Sequence, residues 1–366
     1  MKNVSVYTLG GINYAGFRYR FFQYFNHMNI NFNYNKSISD LNYEKVMPLG
    51  EKCLLKKVYF FFSIFIRISF YLIKDWIRQP DIIIISRALM KPIIPFFFRW
   101  ILLSLKKRGT RIYWDIDDNI LEFKEMSRKS FDFFCDIAEK IIISTPYLKE
   151  IIKNKYYDKV IILPTTDGML IKQDSEDRYK QLFLEYEHKI RLLWIGTSSG
   201  LPNLKKILNA LESAGKELRK CGKELVLLVV CNRDPQYKSN HFTYTFKKWS
   251  LKDADYSFLT SHIGLMPLKN DIIEKGKGGF KLIQYLSIGI PSIASPVGIN
   301  KEILGKGGGF LVELSDHKKW TESIIKLSTD IDLWNKCSKE AKSTYKYSYS
   351  YDYNFMIWKS LLEKYK

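Results

Sequence analysis

Cysteine and histidine are scarce in this sequence. Among 366 residues there are five cysteines and five histidines; no two cysteines form a C-x-x-C pair, and the histidines are scattered. The cysteines are Cys53, Cys135, Cys221, Cys231 and Cys337. An odd number without paired spacing argues against both a disulfide framework and a zinc site. We therefore predict free thiols in a reducing cytoplasm.

Long apolar runs are also absent. A membrane-spanning helix needs about 20 apolar residues, whereas the longest run here, residues 58–73, has sixteen and contains Arg67. The N-terminus enters a strand pattern without an apolar segment of signal-peptide length. The sequence therefore predicts a chain that starts at Met1 and stays in the cytoplasm.

Acidic residues are few compared with basic ones. Lys and Arg number 58 against 38 Asp and Glu, a formal net charge of +20 at pH 7. Such a surplus favours an anionic partner, which could be a nucleic acid, a phosphorylated small molecule or a membrane surface. Only 13 of the 58 basic residues are Arg, the residue type that forms bidentate contacts with bases and phosphates. We therefore predict no nucleic-acid partner.

The positive charge of the first half is concentrated in residues 51–111, which hold thirteen Lys or Arg against three Asp or Glu. Four basic residues of this stretch recur at helical intervals: Lys56, Arg67, Lys74 and Arg78. Arg99 and Lys106, seven residues apart, repeat the pattern. Two interpretations remain open. The helices either lie on an anionic membrane surface, here the inner face of the cell membrane, or face the core and leave a solvated basic stripe.

The length and the apolar content predict two α/β domains. A domain usually has about 100–200 residues, and 46% hydrophobic residues exclude wholesale disorder. Continuous β-branched runs separated by helical segments are typical of parallel sheets. In the first domain, residues 1–172, the predicted strands cover residues 3–9, 81–86, 111–115, 140–144 and 160–163. A linker with a helix is predicted at 173–189.

The second domain is predicted to span residues 190–345. Its predicted strands cover residues 190–195, 224–230, 243–246, 263–266, 292–294 and 310–312. Residues 346–366 are predicted to form a C-terminal helix that could return to the first domain. Two doubly wound parallel-sheet domains would face each other across a cleft, and ligands of such sheets bind beyond the carboxyl ends of the strands.

The densest chemical signal lies in residues 264–303. A strand is followed by a Gly/Lys-rich loop, and a helix starts near Gly279. A helix N-terminus presents unpaired N–H groups and the positive end of the helix dipole. Lys277 and Lys281 add positive charge, so the segment predicts an anion site suited to a diphosphate.

This block resembles the donor-binding signature of GT-B glycosyltransferases, specifically the family 4-like members of glycosyl transferases group 1. The matching segments read GLMPL at 264–268, GKGGFKLIQY at 276–285 and GIPSIASPVGIN at 289–300. Weaker similarity covers WDIDD at 114–118, STPYL at 144–148 and WIGTSS at 194–199. The resemblance implies two Rossmann-like domains, a nucleotide-sugar donor in the second, an acceptor in the first, and transfer with retention and without a metal.

The resemblance also assigns roles to residues of the second domain. Gly196, Thr197 and Ser198 would approach the donor phosphates, while Lys277 and Lys281 would neutralise the diphosphate leaving group. The remaining donor-binding candidates are Phe280, Gln284 and Gly298.

The sequence departs from the family at an acidic pair. Many family members carry two Glu eight residues apart, and Gly276 and Gln284 occupy these positions here. Gln284 could still bind a ribose or sugar hydroxyl, and Glu274, two residues away, could replace the first Glu. The missing pair keeps open whether activity is lowered.

Candidates in the first domain follow its early strands. Gly10 and Gly11 end the first strand where a ligand could approach closely, and Arg18 or Arg20 could reach the cleft. Asp117 is our candidate for a catalytic or acceptor contact. The three carboxylates of the WDIDD segment could alternatively bind a metal or only cap the following segment, and we predict no metal. They are Asp115, Asp117 and Asp118.

The sequence thus predicts a retaining, hexosyltransferase-like enzyme that moves a sugar from a nucleotide-sugar donor to a glycan or lipid-linked acceptor in cell-surface polysaccharide synthesis. A sugar-nucleotide epimerase or hydrolase of the same fold is the alternative enzyme. A non-catalytic nucleotide-sugar-binding protein is a third possibility, because the acidic pair is missing.

Overall fold

The computed structural model describes residues 2–28, 30–38 and 54–363, without the side chains of residues 54–57. The chain forms two compact units. The first comprises the chain up to Thr165, the segment Gly276–Gly278 and the residues from Asp352 onward, and the second comprises Thr166–Lys275 and Gly279–Tyr351. Residues 166–189, predicted as the end of the first domain and a linker, thus belong to the second unit.

The first unit is built on six parallel strands in the order β2-β1-β3-β4-β5-β6. They are β1 (Asn3–Thr8), β2 (Asn31–Lys36), β3 (Ile82–Ser86), β4 (Arg111–Ile116), β5 (Lys140–Ile143) and β6 (Val160–Ile162). Every residue of β3 is buried, as expected of a strand covered on both faces. The chain order reverses between β1 and β3, which makes this the topological switch point.

Strand β2 is an element that the sequence analysis does not predict. Its sequence, NFNYNK, alternates Asn with aromatic residues, and Asn is depleted in strands. Aromatic packing stabilises this edge strand: Phe32 stacks on Phe25 with ring centroids 4.5 Å apart, and Tyr34 meets the Phe17 ring edge-on at 4.8 Å. Tertiary contacts therefore override a weak local preference.

Among the described residues of the first unit up to Thr165, the α-helices are α1 (Ala15–Phe17), α2 (Gln23–Phe25), α3 (Leu54–Arg78), α4 (Phe96–Lys107) and α5 (Arg128–Ile137). A π-helical turn, Arg18–Phe22, joins α1 to α2. Although α3 is 25 residues long, none of the helices among the described residues is both long and apolar enough to cross a membrane.

The second unit contains another sheet of six parallel strands, in the order β12-β11-β10-β7-β8-β9. They are β7 (Lys189–Ile195), β8 (Glu224–Cys231), β9 (Thr243–Lys248), β10 (Ile263–Met266), β11 (Ser292–Ala294) and β12 (Gly309–Leu311). The chain order reverses between β7 and β10. The prediction of two doubly wound parallel-sheet domains is therefore confirmed.

Helices flank this second sheet. They are α6 (Gly168–Ile171), α7 (Glu176–Glu185), α8 (Leu201–Lys206), α9 (Leu208–Lys220), α10 (Leu251–Leu259), α11 (Ile272–Lys275), α12 (Phe280–Ser287), α13 (Asn300–Leu304), α14 (His317–Thr329) and α15 (Ile331–Ser348). The core side chains of this unit come from both faces of the sheet, and Trp320 and Trp334 are among the largest fully buried ones.

The last helix, α16 (Tyr351–Glu363), packs within the first unit from Asp352 onward. Trp358 is fully buried and meets the rings of Phe21 and Phe25 at 5.7 and 5.1 Å. The Asn354 amide donates a hydrogen bond of 2.6 Å to the carbonyl of Pro164. The end of the chain thus contributes to the core of the unit in which the chain begins.

His262 is a structural residue in the second unit. It is fully buried; its Nδ1 accepts a 3.1 Å hydrogen bond from the backbone N–H of Arg191, and its Nε2 lies 3.1 Å from the Leu182 carbonyl. Burial, followed by the positive charge of Arg191, lowers the pKa of His262 to about 3. The folded unit therefore holds the neutral imidazole.

We predict that His262 makes stability sensitive to acid. An unfolded histidine has a pKa of about 6.5, so the stabilisation is complete above that pH and is lost as pH falls towards 3. Between pH 6 and 4, the unfolding free energy of His262→Gln should fall by about 1.4 kcal/mol less per pH unit than that of the wild type. Chemical denaturation across pH measures both slopes. His317→Gln, at an exposed histidine, is the control, and equal slopes for all three proteins would contradict the prediction.

Candidate functional site

The switch point of the second sheet assembles residues that are distant in sequence. Strand β7 pairs with β10 on one side and β8 on the other, and the chain turns away in opposite directions from β7 and β10. A crevice forms at the carboxyl ends of such strands. The loop beginning at Gly196 leaves β7 at this point, as the sequence analysis predicts.

Gly196 and Lys281 come together at this edge. A Cβ on Gly196 would lie 2.6 Å from the Lys281 Nζ and 3.0 Å from the Trp194 ring. The Lys281 Nζ lies 5.3 Å from the centroid of the Trp194 ring, a cation–π distance. The absent side chain of Gly196 therefore makes room for the ammonium group, and the buried indole supports it.

The remainder of the β7 loop is held by a residue that the sequence analysis does not identify. The backbone N–H of Ser198 donates a 2.8 Å hydrogen bond to the Asn232 Oδ1, just beyond the end of β8. The hydroxyls of Thr197 and Ser199 are 2.8 Å apart. The predicted use of the Ser198 N–H for a phosphate therefore competes with Asn232, whose Nδ2 also donates a 3.4 Å hydrogen bond to the Ser198 hydroxyl. Thr197 is exposed.

Glycine is required at the start of α12 and in the loop after β11. Gly279, the N-cap residue of α12, has a φ of +65°, and a Cβ there would come within 2.7 Å of Ile299 and Ile303. Gly298 has a φ of +53°, and its Cβ would lie 2.5 Å from the Lys275 carbonyl oxygen. Gly298, a predicted donor-binding residue, thus lets two backbone segments pass closely. Phe280 begins α12 and is half-buried.

Gln284 has a partner within the second unit. It is buried in α12, and its Nε2 donates a 2.8 Å hydrogen bond to the Asp167 Oδ2. The other Asp167 oxygen accepts the N–H groups of Met169 and Leu170 at the start of α6. The amide nitrogen of Gln284 therefore joins α12 to α6, a role that sequence reasoning did not assign to it.

Glu274, our candidate replacement for the missing Glu, is buried at the end of α11. Its Oε1 accepts a 3.1 Å hydrogen bond from the Asn203 amide in α8. The neighbouring Gly276 and Lys277 belong to the segment that groups with the first unit. Gly276 is buried and Lys277 is half-buried.

Three first-unit candidates, Gly10, Gly11 and Arg18, follow β1 in the chain. Strand β1 is one of the two strands that flank the switch point of the first sheet. Gly10 and Gly11 are both buried, and the Thr8 hydroxyl donates a 2.7 Å hydrogen bond to the Gly10 carbonyl. Arg18 is buried, where its Nη1 donates to the Ile12 carbonyl at 2.6 Å and its guanidinium covers the Tyr19 ring. Arg18 is thus part of the packing that fixes the glycine loop.

Arg20 forms a buried ion pair with Asp115. Its Nε lies 3.1 and 3.2 Å from the two carboxylate oxygens, and its Nη2 contacts one of them. The guanidinium also donates to the carbonyl of Leu163 and, at 3.3 Å, to the Thr165 hydroxyl. Both members of the pair are buried, so this first carboxylate of the WDIDD segment is structural.

Arg87 holds the other two carboxylates of that segment. It follows β3 with a φ of +59°, and its Nη1 lies 3.1 Å from the Asp117 Oδ1 and 2.9 Å from the Asp118 Oδ2. Its Nη2 lies 3.0 Å from Glu125, which also pairs with Lys91 at 2.9 Å. The cluster occupies the carboxyl ends of β3 and β4, and the sequence analysis does not identify Arg87 as part of it.

One carboxylate of the Arg87 cluster, that of Asp118, has a shifted pKa. Burial, and then the neighbouring charge of Asp117, raise the pKa of Asp118 to about 6 in spite of the ion pair with Arg87. Across residues 2–28, 30–38 and 54–363, no three His, Cys, Asp or Glu side chains are grouped so that they could hold a metal ion. The carboxylates of the cluster can also accept charge-assisted hydrogen bonds from hydroxyl groups.

Part of this chain is similar to one known family. Residues 189–330 match the family model described as "Glycosyl transferases group 1". A comparison with curated proteins finds no match. The matched range covers the second sheet, Gly196, Lys281 and Gln284, so it coincides with the part of the chain in which these donor-site candidates lie.

Solved structures match nearly the whole chain. Sucrose-phosphate synthase from Thermosynechococcus elongatus is 12% identical, with 100% of this chain and 99% of that chain covered and a TM-score of 0.62. Anabaena HepE, solved with UDP and glucose, is 10% identical over 100% of both chains, with a TM-score of 0.61. UDP-GlcNAc 2-epimerase from Neisseria meningitidis, bound to UDP-GlcNAc, is 14% identical over 100% of both chains, with a TM-score of 0.55.

The similarities to solved structures show the architecture of the chain. At 10–14% identity they establish the fold, and the predicted GT-B architecture with two Rossmann-like sheets is confirmed. The assignment to the family 4-like group stays a prediction. The chain therefore has the GT-B fold, and residues 189–330 within its second unit are similar to the group 1 glycosyltransferases.

Proposed function

We propose that the protein is a retaining glycosyltransferase, hexosyltransferase-like, that moves a sugar from a nucleotide-sugar donor to a glycan or lipid-linked acceptor. The contact between Lys281 and Gly196 at the switch point of the second sheet carries the proposal. It supports an anion site because an ammonium group, a glycine loop and the start of α12 converge at one edge. The group 1 family match over residues 189–330 supports the same reaction.

The second unit would bind the donor. Lys281 would neutralise the diphosphate, whose negative charge grows as the glycosidic bond breaks. The hydroxyls of Thr197 and Ser198 would bind phosphate oxygens, and Gly196 and Gly298 would permit close backbone approach. The role of Lys277 as a second cation, and those of Phe280 and Gln284 in donor binding, stay predictions.

The first unit would bind the acceptor. The Arg87 cluster offers both donors and acceptors to sugar hydroxyls at the ends of β3 and β4, and Asp117 is its member that the sequence analysis selects. Gly10 and Gly11 border the switch point beside it. Arg18 and Arg20 would act as positioning residues, because both guanidinium groups are buried within the fold.

The proposed transfer reaction needs no general base from the protein. The C1–O bond to the diphosphate breaks, and a bond from C1 to the acceptor hydroxyl oxygen forms on the same face. The acceptor proton passes to the leaving phosphate oxygen, so the products are the glycoside, with retained configuration, and the nucleoside diphosphate. We propose that no metal is required, since Lys281 supplies positive charge to the leaving group.

The acceptor would be reached at the inner face of the cell membrane in the synthesis of cell-surface polysaccharide. The excess of positive charge in residues 51–111 supports attraction to an anionic surface. Lipid-linked glycan carriers are confined to such surfaces, so attachment there would raise their local concentration.

Binding of nucleotide sugars tests this proposal. Thermal unfolding should be followed with UDP-, GDP-, ADP- and CMP-linked sugars. A donor at about 100 times its Kd stabilises the folded state by about 2.7 kcal/mol, which corresponds to a rise in Tm of about 5 °C or more for a unit of this size. One nucleotide series should produce this shift, and the absence of a shift with every donor would contradict the proposal.

A sugar-nucleotide epimerase or hydrolase is the second candidate function. The structural similarity to an epimerase bound to UDP-GlcNAc favours it, and it would give the same binding result. Conversion of the bound donor without an acceptor would distinguish it from transfer. Binding without any turnover would indicate a non-catalytic nucleotide-sugar-binding protein instead.

A further inference from the structure

Helix α3 exposes a continuous stripe of large apolar side chains. They recur every three or four residues: Tyr59, Phe62, Ile66, Phe70, Ile73 and Ile77. At about 100° per residue this spacing places them on one side of the helix. Ile66 and Phe70 are 67% and 63% exposed, whereas Ile68 and Leu72 on the opposite side are fully buried. The stripe is therefore additional to the face that packs on the core.

Helix α4 extends the same surface. Its exposed apolar residues include Phe96, at 83%, and Trp100, at 48%. The Trp100 ring lies 5.8 Å from the Trp76 ring of α3, and the Trp76 indole N–H donates a 3.0 Å hydrogen bond to the Ser104 hydroxyl. The α3–α4 face, defined as the α3 stripe with Trp76, Phe96, Trp100 and Leu103, is thus one apolar surface. Isolated exposed apolar residues are ordinary, but a contiguous surface of this extent indicates a partner.

The exposed charges of α3 and α4 themselves have one sign. Arg67, Lys74 and Arg78 lie roughly 80–120° around α3 from the centre of the apolar stripe. The only acidic residue of α3, Asp75, is buried and accepts hydrogen bonds from Ser5 and Tyr7, and α4 contains none. Neither helix therefore exposes a carboxylate, and a basic border follows the apolar face.

The length of α3 relates this face to the candidate acceptor site. The helix measures about 37 Å and ends at Arg78, just before β3, whose five residues span about 17 Å. Its N-terminal half consequently extends beyond the carboxyl edge of the sheet, where Arg87 follows β3. Tyr59 and Phe62 lie on this extension and are exposed.

We propose that the α3–α4 face inserts into the headgroup and upper acyl region of an anionic lipid bilayer. Apolar side chains would enter the acyl boundary, the two Trp would lie at the headgroup level, and the basic border would contact lipid phosphates. The occupant is a lipid rather than a second copy of the chain, because two such faces would oppose their basic borders. The proposal rests on the proposed function only for the lipid-linked acceptor, which would meet the sheet edge at Arg87.

Insertion differs from purely electrostatic attachment in its response to salt. Screening at 0.5 M NaCl weakens surface attraction, while apolar burial persists. We expect the full chain to sediment with vesicles of 3:1 phosphatidylcholine and phosphatidylglycerol at low salt and to stay bound at 0.5 M NaCl. Binding to vesicles of phosphatidylcholine alone should be at least tenfold weaker at low salt.

Paired variants test the surface directly. The double variant Ile66→Asp/Phe70→Asp should reduce vesicle partitioning by about a hundredfold, because two exposed apolar anchors are lost. Leu184→Asp/Tyr347→Asp, which alters equally exposed apolar residues of the second unit, is the matched control and should partition like the wild type. Arg67→Gln/Lys74→Gln should lower partitioning on the anionic vesicles alone.

Three outcomes would overturn the proposal. They are equal partitioning of the Ile66/Phe70 and control variants, complete release of the wild type at 0.5 M NaCl, and a wild-type dimer that sediments without vesicles and becomes monomeric in the Ile66/Phe70 variant. Circular dichroism of each variant must match the wild type. Donor-induced thermal stabilisation, measured on the same variants, should be unchanged, so a failure of membrane binding is distinguishable from a failure of the proposed enzyme activity.

Discussion

Replacing Lys281 by Met is expected to lower nucleotide-sugar turnover by about a hundredfold or more in kcat/KM. Removal of one preorganised donor from a developing negative charge usually costs 10²–10³-fold in rate. Methionine keeps an apolar chain against Trp194, so the packing at Gly196 is retained while the ammonium charge is lost. Steady-state release of the nucleoside diphosphate measures the effect.

An exposed lysine provides the control for that substitution. Lys275 lies at the end of α11, close to Lys281 in the chain, and its side chain is exposed. Lys275→Met should keep kcat/KM within about threefold of the wild type, because exposed charges at a distance are screened. Equal losses in the two variants would show that general positive charge, rather than the ammonium at Gly196, supports turnover.

The largest effect on stability is expected at the buried pair of Arg20 and Asp115. Asp115→Leu would leave a buried guanidinium without its carboxylate, and breaking a buried pair on one side costs about 3–5 kcal/mol. The double variant Arg20→Met/Asp115→Leu should recover most of this loss, because apolar residues of similar volume can replace a buried pair. Urea denaturation followed by tryptophan fluorescence measures the loss, and Trp114, which precedes Asp115 in β4, is one of the eight Trp that contribute to the signal.

A surface ion pair gives the comparison. Glu224→Gln removes the carboxylate that lies 3.0 Å from Lys189, and exposed pairs of this kind contribute about 1 kcal/mol at most. A double variant as unstable as Asp115→Leu would contradict the account, because the destabilisation would then not arise from an uncompensated charge.

The strands were predictable where their own sequence determined them. The run of isoleucines in β3 and the apolar residues of β8 are typical of strands that are covered on both faces of a sheet. Strand β2 was not predictable, because its asparagines disfavour a strand and its aromatic partners, such as Phe25, come from a separate helix. Parallel pairing depends on residues that a local pattern does not contain.

The candidate site was predictable in part for a similar reason. Gly196 and Lys281 lie within segments that resemble a family, and the fold brings them together. Arg87 is a lone arginine after a strand, and Asn232 a lone asparagine after another, so neither forms a motif. Their importance arises from the alignment of strand ends, which the strand order alone determines.

The helical stripe illustrates a limit of periodicity. The spacing of Arg67, Lys74 and Arg78 predicted a basic side of α3, and the structure has one. However, apolar residues also occupy two other sides of α3. Their pattern in the sequence could not distinguish the exposed stripe that contains Ile66 from the buried side that contains Ile68. Only the position of the sheet determines which apolar face is covered.

Transfer of a labelled sugar tests the central claim most directly. The protein should be incubated with the nucleotide sugar that stabilises it most and with a membrane lipid extract or a panel of glycans. We predict that label appears in a glycosylated acceptor, that nucleoside diphosphate is released in equal amount, and that NMR shows the anomeric configuration of the donor in the product. Release of an epimerised or hydrolysed donor without a labelled acceptor, or an inverted product, would contradict the account.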